Sequence, residues 1–248
     1  MIPSPTLKVL SSMQQHQVKA LLMGGQACVW YGAAEFSRNT DLAVLVDEEN
    51  LLRLRAALDE LVAEVIAAPP FEAEYLQRSH AVHFRCQHPA AVGLRVDIMA
   101  KMRGVDAFPA LWERRESLQD DAGNHYELLA LPDLVAAKKT QREKDWPMVR
   151  RLVEAHYFQH RAAPTAAQIE FWFRELRTPE LLVKLASLFP DLCERVAQSR
   201  PLLQSASFGD RDEIAFKLAA EATQEGMADR EYWKPLKKEL EELRKRRC

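Results

Sequence analysis

The spacing of apolar residues divides the chain into two regimes. Before about residue 130 the apolar positions come in short runs or alternate with polar ones. VKALLM (18–23) predicts a short buried strand, QACVWYGAA (26–34) a helix, and TDLAVLV (40–46) a second strand. Asp47, Glu48, Glu49 and Asn50 open a helix whose Leu51, Leu54, Leu58 and Leu61 recur at three and four, the acidic start complementing the helix dipole. EVIAA (64–68) reads as a third strand. HAVHFRC (80–86) and LRVDIMAK (94–101), joined by QHPAAVG, read as a hairpin with Pro and Gly in its loop. From Leu131 the three-and-four period takes over, in segments separated by AAPT, TPE, FPD and SRP, where each Pro marks a helix start or break. The expected architecture is α/β of the α+β kind: a mixed sheet with flanking helices over residues 1–130, then an α-helical domain over 131–248. At the end of the chain Leu236, Leu240 and Leu243 form one stripe among many charges, the pattern of a solvated amphipathic helix docked on the domain.

Composition narrows the function classes. With 248 residues, 48% hydrophobic and 28% charged, the chain can bury one or two cores. A formal net charge of -2 provides no global basic field for non-specific nucleic-acid binding, so any polyanion site is local. No stretch has the run of about 18 apolar residues that a membrane span needs, and MIPSPTLKVLSSMQQ lacks the apolar core of a signal peptide. The expectation is a cytoplasmic protein with no membrane partner. Cys28, Cys86, Cys193 and Cys248 are scattered and read as reduced thiols. His80, His83, Cys86 and His88 are close in sequence, but a strand at AVHFRC would send His80 and His83 to opposite faces and set Cys86 about 20 Å from His80, which argues against zinc.

The same alternation isolates two carboxylates. In TDLAVLV, Thr40, Leu42, Val44 and Val46 share one strand face and Asp41, Ala43 and Leu45 the other. In LRVDIMAK, Asp97 stands with Arg95, Met99 and Lys101 opposite an apolar row. Aligned on neighbouring strands, Asp41 and Asp97 would repel unless a cation lay between them or one stayed protonated, and hard oxygen ligands suit Mg²⁺. Further along, Leu131, Leu134, Val135, Lys138, Arg142, Asp145, Val149 and Leu152 recur at three and four, which puts Lys138 on an apolar stripe. There it snorkels, pairs with a carboxylate such as Asp145, or meets a ligand phosphate. Trp30, Tyr31 and Phe36 read as core residues rather than base-stacking groups.

The stretch MGGQACVWYGAAEFSRNTDLAVLV (23–46) resembles the signature of the nucleotidyltransferase fold shared by polymerase beta, aminoglycoside nucleotidyltransferases and AbiEii-type toxins, in which a glycine pair after the first strand precedes an Asp-x-Asp strand. Gly24 and Gly25 match the pair, Asp41 the first aspartate and Asp97 the third carboxylate. Fifteen residues separate Gly25 from Asp41, a spacing similar to that of the aminoglycoside enzymes. LPDLVAAKKTQREKD is similar to the AbiEii-type helix with a Lys and a later basic-Asp pair, matched by Lys138 and Lys144-Asp145. The resemblance implies a nucleotidyltransferase-like domain that moves a nucleoside monophosphate from an NTP to a hydroxyl of tRNA or other RNA, of protein, or of a small molecule. Mg²⁺ or Mn²⁺ would be held by Asp41 and Asp97, phosphates by the Gly24-Gly25 turn, Arg38 and Thr40, and phosphate charge by Lys138. A toxin of this kind would have a cognate antitoxin or other protein partner. The second aspartate of the motif is replaced by Ala43, which removes a metal ligand and keeps open the alternative of a catalytically degenerate nucleotide-binding or interaction protein. The glycine pair alone also fits a tight turn without a ligand.

Overall fold

The computed structural model describes residues 4–119 and 123–247. Two compact units result. The first comprises Met1–Ala137 with Tyr232–Cys248, and the second Lys138–Glu231. The last 17 residues therefore belong with the first unit rather than with the helical stretch before them. Cys248, read above as a reduced thiol, lies outside the described residues.

The first unit is built on seven strands: β1 (Ala20–Met23), β2 (Asn39–Val44), β3 (Ala63–Val65), β4 (Val82–Cys86), β5 (Arg95–Met99), β6 (Glu116–Gln119) and β7 (His125–Leu128). They form one mixed sheet in the order β3-β4-β5-β2-β1-β7-β6, in which β2/β5 and β1/β7 are parallel and the other pairs antiparallel. The helices are α1 (Ser4–Gln15), α2 (Gly24–Trp30), α3 (Glu48–Glu60), α4 (Ala73–Gln77), α5 (Phe108–Glu113) and α6 (Leu131–Ala137). One sheet face is dry: Leu22, Leu42, Val44, Phe84, Val96 and Ile98 join Val9 and Leu10 of α1 and Leu54 and Leu58 of α3 in one core. Helix α3 starts where the acidic cluster predicts, with the Asp47 side chain accepting the Asn50 N–H at 2.7 Å. The predicted β4/β5 hairpin forms, its loop containing a 3-10 turn at Pro89–Ala91.

The N-terminal helix was not foreseen in the apolar pattern, because its inner face is partly polar. Thr6 and Ser12 are fully buried beside Val9, Leu10 and Met13. Ser12 donates to Glu60 Oε2 at 2.8 Å, Lys8 pairs with the other oxygen, and His16 Nε2 lies 3.0 Å from Oε2. These partners, the Lys8 and Ser12 hydrogen bonds first, hold the Glu60 pKa down at about 2 despite some desolvation.

The second unit is helical: α7 (Asp145–His160), α8 (Ala166–Glu175), α9 (Pro179–Leu188), α10 (Pro190–Ala197) and α11 (Leu202–Ser207), with α12 (Arg211–Arg247) running on into the C-terminal segment of the first unit. In that segment Leu236 is buried, and Glu239 receives Arg78 at 2.6 Å and His80 at 2.7 Å, which fixes the leucine-striped end of the chain to the first unit. Among the described residues no helix is long and apolar enough to cross a membrane, and Cys28, Cys86 and Cys193 are buried without a disulfide.

Candidate functional site on the polar face of the central strands

The face opposite the dry core carries the titratable side chains of the central strands. Strands β2 and β5 run parallel with Asn39, Asp41 and Ala43 registered against Arg95, Asp97 and Met99, so the two carboxylates leave the same face at the same level. Antiparallel pairing of β4 with β5 sets His83 opposite Asp97. His83, Asp97 and Asp41 thus form a row across three strands, with Arg95 one step along. Alternation within each strand is readable from sequence; this row depends on the register between strands.

Asp97 is 8% exposed and engaged. Its Oδ1 accepts from Arg95 Nε at 2.7 Å and lies 2.8 Å from His83 Nδ1. Arg95 Nη2 is also 3.0 Å from His83 Nδ1. A guanidinium only donates, so that contact needs a lone pair on Nδ1, whereas a bond from the imidazole to Asp97 needs a proton there. The two contacts compete for one ring atom. Burial alone would raise the Asp97 pKa, but the hydrogen bonds and charges of His83 and Arg95 outweigh it and keep the group below the ordinary carboxylate value. Both bonds fall on Oδ1, leaving Oδ2 for another partner.

The glycine pair packs against this row. Gly24 has φ +66°, the left-handed region, and a Cβ there would stand 1.9 Å from Asp41 Oδ2 and 2.7 Å from Asp41 Cβ. At Gly25 a Cβ would fall 2.3 Å from Ser37 Oγ, and the Gly25 N–H approaches Asp41 Oδ2 at 3.4 Å. In this structure the glycines are required by Asp41 and Ser37 themselves. Ala43, where the resemblance expects a carboxylate, is fully buried between Leu21 and Met99 on the neighbouring strands.

The other candidates do not gather at this row. Thr40 points to the opposite, dry face, where its fully buried hydroxyl donates to Thr6 at 3.3 Å and Thr6 also accepts from Gln26 at 3.2 Å, so the structure places it away from a phosphate on the Asp41 face. Arg38 is exposed just before β2. Lys138 lies beyond the end of α6, not on a helical stripe, because residues 138–144 turn. Thr140 Oγ1 donates to Asp145 Oδ2 at 2.6 Å and accepts the Arg142 N–H at 3.1 Å, and the Thr140 N–H bonds back to Lys138 O at 2.9 Å. Lys138 Nζ sits 3.9 Å from Asp145 Oδ1, and Arg142 Nε donates to Asp145 at 2.7 Å, so of the readings open for Lys138 the geometry displays the ion pair. Trp30 and Phe36 are exposed, contrary to their reading as core, since the short α2 and the turn after it leave them at the surface; Tyr31 is half-buried and donates to Leu129 O at 3.0 Å. His80 is fully buried against Glu239, on the loop before β4, while His83 is on the strand with Asp97.

Among the described residues no group of three or more His, Cys, Asp or Glu side chains is arranged to hold a metal. Asp41 and the remaining oxygen of Asp97 nonetheless match Mg²⁺, which takes one or two carboxylates and fills its shell with water and phosphate oxygens. Two carboxylates are the number such an ion takes, and with Ala43 in the second position the row lacks the ligand that would bridge a pair of ions. The sequence matches no protein-family model and no curated protein.

Proposed function

We propose that the first unit is a nucleotidyltransferase-like domain that moves a nucleoside monophosphate from an NTP to a hydroxyl acceptor, with release of pyrophosphate. The observation that carries this reading is the register pair Asp41 and Asp97 on parallel strands, two carboxylates at one level of one sheet face. Asp41 and Asp97 would hold Mg²⁺, which when bound supplies charge neutralisation to phosphate oxygens. Asp97, within reach of His83, accepts the proton of the acceptor hydroxyl. Arg95, 39% exposed in its side chain, can turn from Asp97 to the anionic substrate and release the carboxylate as it does so. Lys138, paired with Asp145, is assigned no step.

A second reading is favoured by two observations: Ala43 has no access to solvent, and Asp97 is already ion-paired with Arg95 and in contact with His83. In that reading the same face binds a nucleotide or a protein without transferring a group. Incubation with α-labelled NTPs, Mg²⁺ or Mn²⁺, tRNA and small hydroxyl acceptors separates the two. Transfer should label an acceptor or the protein itself and should fall at least about a hundredfold in Asp41→Asn and Asp97→Asn. NTP binding without labelling would leave the second reading in its nucleotide-binding form, and neither binding nor labelling would remove both nucleotide readings.

A further inference from the structure

The second unit contains a separate cavity of about 480 Å³, within the range of small-ligand pockets. Its wall is largely apolar, with Trp146, Leu218 and Ala222, and its basic residues are Arg151, Arg177 and Arg150, the last with its Nε paired to Glu154 at 2.9 Å; among the described residues no carboxylate lines it. Arg177 is the residue whose charge the fold compensates incompletely. Its side chain is only 9% exposed, its guanidinium lies 4.4 Å over the Trp146 ring, and Nη1 reaches Leu218 O at a long 3.4 Å. The buried Nε has no hydrogen-bond partner, and Nη2 is 3.6 Å from Glu221.

Glu221 is committed elsewhere. Both its oxygens accept from Arg200, at 3.0 and 2.9 Å, so two buried guanidinium groups share one carboxylate. Glu175, a second acidic neighbour, is taken by Lys139 at 2.7 Å, and Glu225 adds a further Coulombic attraction. Burial first, then the charge of Arg200, pull the Arg177 pKa below its ordinary value, yet a guanidinium stays charged at neutral pH. A charge so placed is costly unless an anion completes its environment.

We infer that this cavity binds a small organic anion, a flat apolar body bearing one carboxylate or phosphate group, with the charge against Arg177, Arg150 and Arg151 and the body against Trp146 and Leu218. This assignment is independent of the nucleotide reading. Calorimetric titration of the full chain with 1-naphthoate and 1-naphthyl phosphate, and with 1-naphthol and inorganic phosphate as single-feature controls, tests it. One naphthyl anion should bind, its identity naming the head group, and both controls should bind at least about tenfold more weakly. Arg177→Met should weaken that anion about tenfold or more without lowering thermal stability, because it removes an incompletely paired buried charge. Should that variant fail to fold, the surface pair Arg150→Gln with Arg151→Gln should still weaken binding, and Glu221→Gln should tighten it. Binding of neither anion at about 1 mM, equal binding of 1-naphthol, or anion affinity unchanged across the folded variants would overturn the assignment.

Discussion

Replacing Gly24 by Ala tests the packing of the glycine turn on Asp41. The new methyl group would stand 1.9 Å from Asp41 Oδ2, 2.5 Å from Cγ and 2.7 Å from Cβ. Rotating the carboxylate relieves the first two contacts but not the third, since Cβ is fixed to the β2 backbone; the strand or the turn has to move. Such overpacking costs about 1–3 kcal/mol. The left-handed backbone of Gly24, φ +66°, adds about 1–2 kcal/mol for any residue with a Cβ, and the loss of glycine's freedom in the unfolded chain returns about 0.4–1 kcal/mol. The net destabilisation is about 1–4.6 kcal/mol, a fall in Tm of roughly 2–18 °C for a chain this size. Differential scanning calorimetry measures it, and a double-mutant cycle with Asp41→Gly, which removes every atom of the clash, should return a coupling of about 1–3 kcal/mol. A Tm unchanged by Gly24→Ala, or a coupling near zero, would mean that the carboxylate does not rest on the turn as described.

Two further outcomes concern carboxylates of the first unit. Glu60 has its pKa lowered from 4.5 to about 2, so its stabilising contribution is complete above pH 4.5 and is lost as pH falls toward 2. With the side chain 29% exposed, screening reduces the full linkage value to about 1–2 kcal/mol. Urea denaturation across pH 2–7 should show this loss in the unsubstituted protein and a flatter profile in Glu60→Gln; parallel profiles would refute it. Ala43→Asp would bury a third carboxylate on the face of Asp41 and Asp97, so Tm should drop in EDTA and recover with Mg²⁺ by more than the unsubstituted protein gains. A drop that Mg²⁺ does not reverse would count against a cation site on this face.

Much of the first unit was legible because its strands alternate cleanly or are uniformly apolar. Leu42 and Val44 against Asp41, and Val96 and Ile98 against Asp97, announced two faces before any pairing was known, and Asp47 announced its helix. Long-range pairing was not legible. That β2 lies beside β5, and β4 beyond it, brings His83 and Arg95 onto Asp97, and nothing local to either residue signals this. Helix α1 escaped notice because the core accepts its Thr6 and Ser12 through hydrogen bonds rather than apolar contact. The three-and-four stripe through Lys138 misled for the opposite reason. Its spacing is helical, but Thr140 and Asp145 satisfy each other and nearby backbone, ending one helix and starting the next.

The order of the sheet also bears on how the chain behaves in crowded solution. Its most apolar strand, β1, is interior, hydrogen-bonded to β2 on one side and β7 on the other. The rims are β3, three residues long with Glu64 outward, and β6, four residues long with Glu116 and Gln119 exposed. A foreign strand approaching either rim finds little ladder to extend and a negative charge in the way, so templated growth of β-aggregates from the folded state has poor footing. That protection is lost when the rim strands detach and uncover the apolar neighbours they shield.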